Sequence, residues 1–155
     1  MYVAVIGGQQ CTLEEERTAY DLGNLLAKNG AVIICGGLGG VMEAACKGAK
    51  AAGGTTIGIL PGPFRGDANP FVDYAVATDM GQARNAIIVR TADAAVALGG
   101  EYGTLSEVAM ALKMGKKVVA ISSWEISRKG ALDEKVIRVD DPEKAVEIIL
   151  GSNQH

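Results

Sequence analysis

The sequence predicts an α/β fold built on a doubly wound parallel sheet. Three observations carry that reading. Short runs such as "AVIIC", "TTIGIL" and "AAVAL" are apolar at successive positions, the pattern of strands covered on both faces. Longer segments with helical spacing lie between them. Glycine clusters stand where an apolar run ends and a helical segment begins.

In chain order, "YVAVI" is the first strand and ends at Gly7-Gly8. Thr12 to Asn29 is helical, with Leu13, Ala19, Leu22, Leu25 and Leu26 turned inward. It opens on Thr12-Leu13-Glu14-Glu15, a capping-box pattern. "AVIIC" is the second strand and runs into "GGLGG". Val41 to Ala52 is a helix of small residues, whose Ala44, Ala45, Gly48 and Ala49 let it lie close to the sheet. "TTIGIL" is the third strand, followed by the proline-rich loop "PGPFRGDANP" and a short strand in "DYAVA".

Met80 to Thr91 reads as one helix. Its Ile87, Ile88 and Val89 exceed a single buried stripe and point to a homo-oligomer, a dimer or tetramer. "AAVAL" is a fully buried strand, Gly103 to Met114 a helix, and "KKVVAI" a strand. "EKVIRV" reads as a last short strand and Pro142 to Leu150 as the final helix. No linker or repeat interrupts the series. The expectation is a single domain over residues 1–155, a Rossmann-like three-layer sandwich.

Composition narrows the functions open to such a domain. Aromatics make up only 5% of the sequence, so the core must be built from Val, Ile, Leu and Ala. A net charge of −3 lacks the basic footprint of a nucleic-acid binder. No run is long enough to span a membrane, and no charged leader precedes the first strand, so a cytoplasmic protein is expected. Cys11, Cys35 and Cys46 lack metal-site spacing and read as free thiols, buried by default. The only histidine is His155, the last residue, which argues against a histidine-bound metal and against Ser-His or Cys-His catalysis. Lys113, Lys116 and Lys117 read as solvated charges at a helix end.

The candidate site lies at three turns. They hold Gly7 and Gly8; Gly36, Gly37, Gly39 and Gly40; and Gly99, Gly100, Gly103 and Thr104. In a parallel sheet these turns share one edge, where helix amino ends offer unpaired N–H groups and glycine lets an anion approach the backbone. A small phosphorylated ligand is the expected partner. The first turn lacks the third glycine of the dinucleotide fingerprint, and the second lacks the lysine of a P-loop. Thr104 to Glu107 is a second capping-box pattern, so Glu107 reads either as a helix cap or as a site residue. By default Glu101 is a solvated loop residue and Arg84 an exposed helix residue.

Together these residues resemble the LOG-like proteins, a family that also carries a lysine-decarboxylase label. The family signature Pro-Gly-Gly-x-Gly-Thr-x-x-Glu is matched by "LGGEYGTLSE", with Leu98 for the proline and one extra residue between Gly100 and Gly103. "CGGLGGVMEAACKGAKAAGGTTIGILP" matches its second glycine-rich region, and Arg84 in "GQARNAIIVR" its upstream arginine. The resemblance implies that Arg84 and Glu107 are catalytic. They would cleave the N-glycosidic bond of a nucleoside 5'-monophosphate, releasing base and ribose 5-phosphate, with Gly100, Gly103 and Thr104 on the phosphate. The extra residue, and Glu43 where the hydrolases have glycine, look like a subgroup similar to the molybdenum cofactor carrier protein, a binder. The expected function is binding of a nucleotide or nucleotide-like phosphate cofactor, as a carrier; the alternative is the glycosidase. A nucleoside monophosphate and the molybdenum cofactor are the candidate ligands. No lysine stands in a pyridoxal-phosphate context, so a lysine decarboxylase is not expected.

Overall fold

The computed structural model describes residues 1–151; His155 lies outside them. Seven strands form one parallel sheet: β1 (Tyr2–Gly7), β2 (Val32–Cys35), β3 (Thr56–Leu60), β4 (Tyr74–Ala77), β5 (Ala94–Leu98), β6 (Lys117–Ile121) and β9 (Val136–Val139). Their order is β4-β3-β2-β1-β5-β6-β9. The chain thus steps outward from β1 in one direction, then restarts at β5 and steps outward in the other. The fold is the α/β three-layer, Rossmann-like sandwich that the apolar runs predict.

The helices cover both faces, and the period-two alternation of β1 shows why its strand must be apolar throughout. Val3 and Val5 pack under α1 (Leu13–Lys28), α2 (Val41–Ala51) and α5 (Pro142–Leu150). Ala4 and Ile6 pack under α3 (Asn85–Thr91) and α4 (Tyr102–Lys113). α1 starts with the expected capping box: Thr12 Oγ1 accepts from Glu15 N–H at 3.1 Å and the Glu15 carboxylate accepts from Thr12 N–H at 3.1 Å. At α5, Asp141 caps the Lys144 N–H at 2.7 Å, with Pro142 in the first turn where its missing N–H costs nothing.

Several local expectations are corrected. Leu13 is 74% exposed, because it is the first helical residue and stands ahead of the buried face. The small residues of α2 serve its contact with α1 as well as the sheet: a Cβ on Gly48 would collide with the Tyr20 carbonyl, and one on Gly23 with Ala45. Met80 to Thr91 is not one helix. Asp79 and Gly81 have φ of 52° and 59°, Gly81–Arg84 forms a 3-10 turn, and α3 follows at Asn85. Ile88 and Val89 are buried inside the chain and Ile87 is half-buried. A hairpin of β7 (Ser127–Arg128) and β8 (Ala131–Leu132) is unforeseen. Lys129 and Gly130 turn it with φ of 53° and 79°, the left-handed pair a two-residue hairpin needs. Among the described residues no helix is long and apolar enough to cross a membrane.

Candidate functional site

In an open parallel sheet, ligands bind beyond the carboxyl ends of the strands where the order reverses. Here that point lies between β1 and β5, and the glycine turns meet there. A Cβ on Gly8 would stand 3.7 Å from Gly100 Cα. The Val41 N–H, first in α2, donates to the Gly8 carbonyl at 3.0 Å. Gly40, at φ 65°, sits so close that a Cβ would strike the Gly8 and Gln9 carbonyls. The first and second turns are therefore interlocked, and the third touches the first.

A cavity of about 640 Å³ opens at this junction. Gly7, Gly8, Gly36, Gly103 and Thr104 line it together with Arg84 and Glu107. Gly99 and Gly100 face a neighbouring cavity, also about 640 Å³, beside Glu15 and Trp124. The two cavities share Gln10 and Glu101 as walls. Gly37, Gly39 and Gly40 line neither, since Gly37 is packed against Leu60 and Gly40 against the first turn. The second turn thus gives the cavity Gly36 alone among its glycines.

The amino end of α4 supplies the donors. Its N-cap is Glu101, whose side chain makes no capping hydrogen bond, and no acidic residue stands in its first turn. The first-turn amides of Tyr102, Gly103 and Thr104 are the orphan donors of a helix start. Trp124 Nε1 donates to the Glu101 carbonyl at 3.0 Å, and Ser123 Oγ to the Gly99 carbonyl at 2.6 Å. The loop after β6 so braces the turn that carries the extra residue, and the Tyr102 ring lies 5.6 Å from that of Trp124.

The capping-box reading of Glu107 is overturned. Helix α4 starts at Tyr102, so Thr104 is inside its first turn and Glu107 deeper still. Glu107 is 9% exposed and has no hydrogen-bond or ion-pair partner among the described residues. Burial raises its pKa to about 8, against the opposing pull of Arg84.

Arg84 is not an exposed helix residue either. It is 4% exposed and locked in place. Its Nε donates to the Ile59 carbonyl at 2.9 Å, Nη1 to Asn85 Oδ1 at 2.5 Å and Gln82 Oε1 at 3.3 Å, and Nη2 to the Gly36 carbonyl at 3.4 Å. All four acceptors are neutral. Burial lowers its pKa from the ordinary value, and Glu107 and then Cys35 oppose the shift. Gln82 and buried Asn85, which no sequence pattern marks, hold the guanidinium; Asn85 also donates to Ser106 Oγ at 3.3 Å. Their only signal is a polar cluster around Arg84 in "GQARN".

Glu43 lies outside both cavities. Cys35 and Cys46 are buried free thiols with sulfurs 3.6 Å apart, and Cys11 is half-buried. Lys116 is more than a solvated charge, for its Nζ donates to the Ala92 carbonyl at 2.7 Å. Among the described residues no cluster of His, Cys, Asp and Glu is placed to hold a metal ion.

Known proteins can be set beside this geometry. An uncharacterised protein of Archaeoglobus fulgidus is 45% identical over 153 residues, covering 99% of this chain and 97% of that one. The solved molybdenum cofactor binding protein of Rippkaea orientalis superposes with a TM-score of 0.88 at 38% identity, over 97% of this chain and 96% of the other. The molybdenum cofactor carrier protein of Chlamydomonas reinhardtii does so with a TM-score of 0.84 at 34% identity, over 96% and 94%. The SLOG cluster4 family model matches residues 1–146, and the chain belongs to that family.

Proposed function

We propose that this protein binds a phosphate-bearing, nucleotide-like cofactor at the β1–β5 junction and carries it as cargo, with the molybdenum cofactor as the favoured ligand. The observation that carries the reading is one cavity holding both an uncapped helix start and a buried arginine with only neutral acceptors. A buried, rigidly held positive charge of that kind suits an anion. Gly8 and Gly36 leave the backbone bare beside it. The volume fits the roughly 300–1,000 Å³ of small-ligand sites. The two solved relatives, one a binder and one a carrier of the molybdenum cofactor, support the choice of cargo.

The glycosidase reading draws on the same cavity, since Arg84 and Glu107 both line it. It asks Glu107 to be a carboxylate beside an oxocarbenium-like centre. Burial opposes the charge that this role requires. Incubating wild type with AMP separates the two: a carrier binds without releasing adenine. Adenine released by wild type and lost in Glu107→Gln would replace the carrier reading with the glycosidase.

A further inference from the structure

Glu107 is a largely buried residue whose carboxyl makes no hydrogen bond or ion pair among the described residues and whose oxygens open on the cavity at the amino end of its own helix. A carboxylate largely withdrawn from water, with neither ion pair nor hydrogen bond to offset the loss, is disfavoured against its protonated form. The one basic residue lining the cavity, Arg84, makes no ion pair with it and gives its N–H groups to neutral oxygens.

The charged and titratable surroundings are few. Arg84 and Cys35 face Glu107, and Glu101 lines the same cavity. Of the elements packed against α4, β1 and β5 carry no charged side chain. Arg90, at the end of α3, and Lys117, at the start of β6, lie at the opposite edge of the sheet, where Lys116 reaches the Arg90 carbonyl.

We infer that Glu107 holds a proton and donates it in a hydrogen bond to an oxygen of the bound anion, so that ligand and proton are held together. The inference rests on the anion site proposed above. As a carboxylate, Glu107 would repel a phosphate; as a carboxyl, it adds a donor to those of α4 and Arg84. The site then selects ligands with an acceptor oxygen at this place, and it loosens its hold as the proton leaves. No covalent bond is made or broken. The direction agrees with the upward pKa shift that burial imposes.

Sulfate tests this cleanly, because its charge does not change in the neutral and alkaline range. Its affinity is measured by calorimetry from about pH 6 to about pH 10, with proton uptake read from two buffers of different ionisation enthalpy. In wild type the affinity should stay level to about pH 8 and then fall, approaching tenfold per pH unit, while uptake approaches one proton per sulfate. In Glu107→Gln the affinity should be level throughout. A level wild-type profile without proton uptake, or an equal fall in Glu107→Gln, overturns the inference while leaving the anion site standing. Sulfate that binds at no pH removes the anion site and the inference with it.

Discussion

Arg84 and Glu107 line one cavity, yet among the described residues no guanidinium nitrogen lies within 4.0 Å of the carboxyl. Two buried ionisable groups of opposite type are close enough to shift one another but do not pair. The proposed ligand would meet a cation and a carboxyl lining the same cavity.

That relationship gives a pH dependence of folding. Glu107 has its folded pKa raised to about 8 from an ordinary 4.5. Between those values the folded protein keeps a proton that the unfolded chain has lost. Stability from this group is therefore full below about pH 4.5 and falls as pH rises through about 8. Across that window the loss is on the order of a few kcal/mol. Urea melts of Glu107→Gln should show a shallower decline than wild type between those pH values. Parallel declines would mean that Glu107 titrates normally.

Arg84 should matter for both binding and folding. Arg84→Met removes the donor to Ile59 and leaves a buried carbonyl unsatisfied, at a cost of about 1–3 kcal/mol. Sulfate affinity should fall at least tenfold, the scale of about 1.4 kcal/mol for one charge-assisted contact. Arg84→Lys keeps the charge but cannot reach four acceptors in a fork, so it should recover binding only in part. Calorimetry beside a thermal melt checks both. Unchanged sulfate binding in Arg84→Met would take Arg84 out of the site.

Much of this was legible in the sequence. The strands followed from consecutive apolar residues, and α5 matched its expected range because Asp141 and Pro142 mark its start chemically. The three turns were legible as strand ends rich in glycine. The break before Asn85 was not, because Gly81–Arg84 closes as a 3-10 turn behind a left-handed Gly81, and a lone glycine near a helix start does not announce that in a periodic pattern. Glu107 was misleading for a different reason. A Thr-x-x-Glu spacing marks a helix start only if the helix begins there, and α4 begins at Tyr102 instead. The burial of Arg84 depends on Ile59, Gly36 and Asn85 converging from three parts of the chain, which spacing along one segment does not show.

The turn glycines divide into two classes that substitution can separate. Gly53 has φ 74° with nothing within 4 Å of an added Cβ, so Gly53→Ala should cost about 1–2 kcal/mol from backbone strain alone. Gly40 and Gly100 have φ of 65° and 90°, and a Cβ would also strike the Gly8 carbonyl and the Thr104 side chain respectively. Gly40→Ala and Gly100→Ala should each cost clearly more than Gly53→Ala in thermal melts and also weaken sulfate binding. Equal losses at all three positions would show that the turns are not interlocked.

We propose above all that the β1–β5 junction carries a phosphate-bearing cofactor. Mass spectrometry of the small molecules released on denaturing protein purified from cells that make the molybdenum cofactor tests it most directly. A phosphate-bearing pterin should be released from wild type in near-stoichiometric amount and be strongly depleted from Arg84→Met. Wild-type protein that releases no phosphate-bearing ligand, and binds none when the cofactor is supplied, would contradict it.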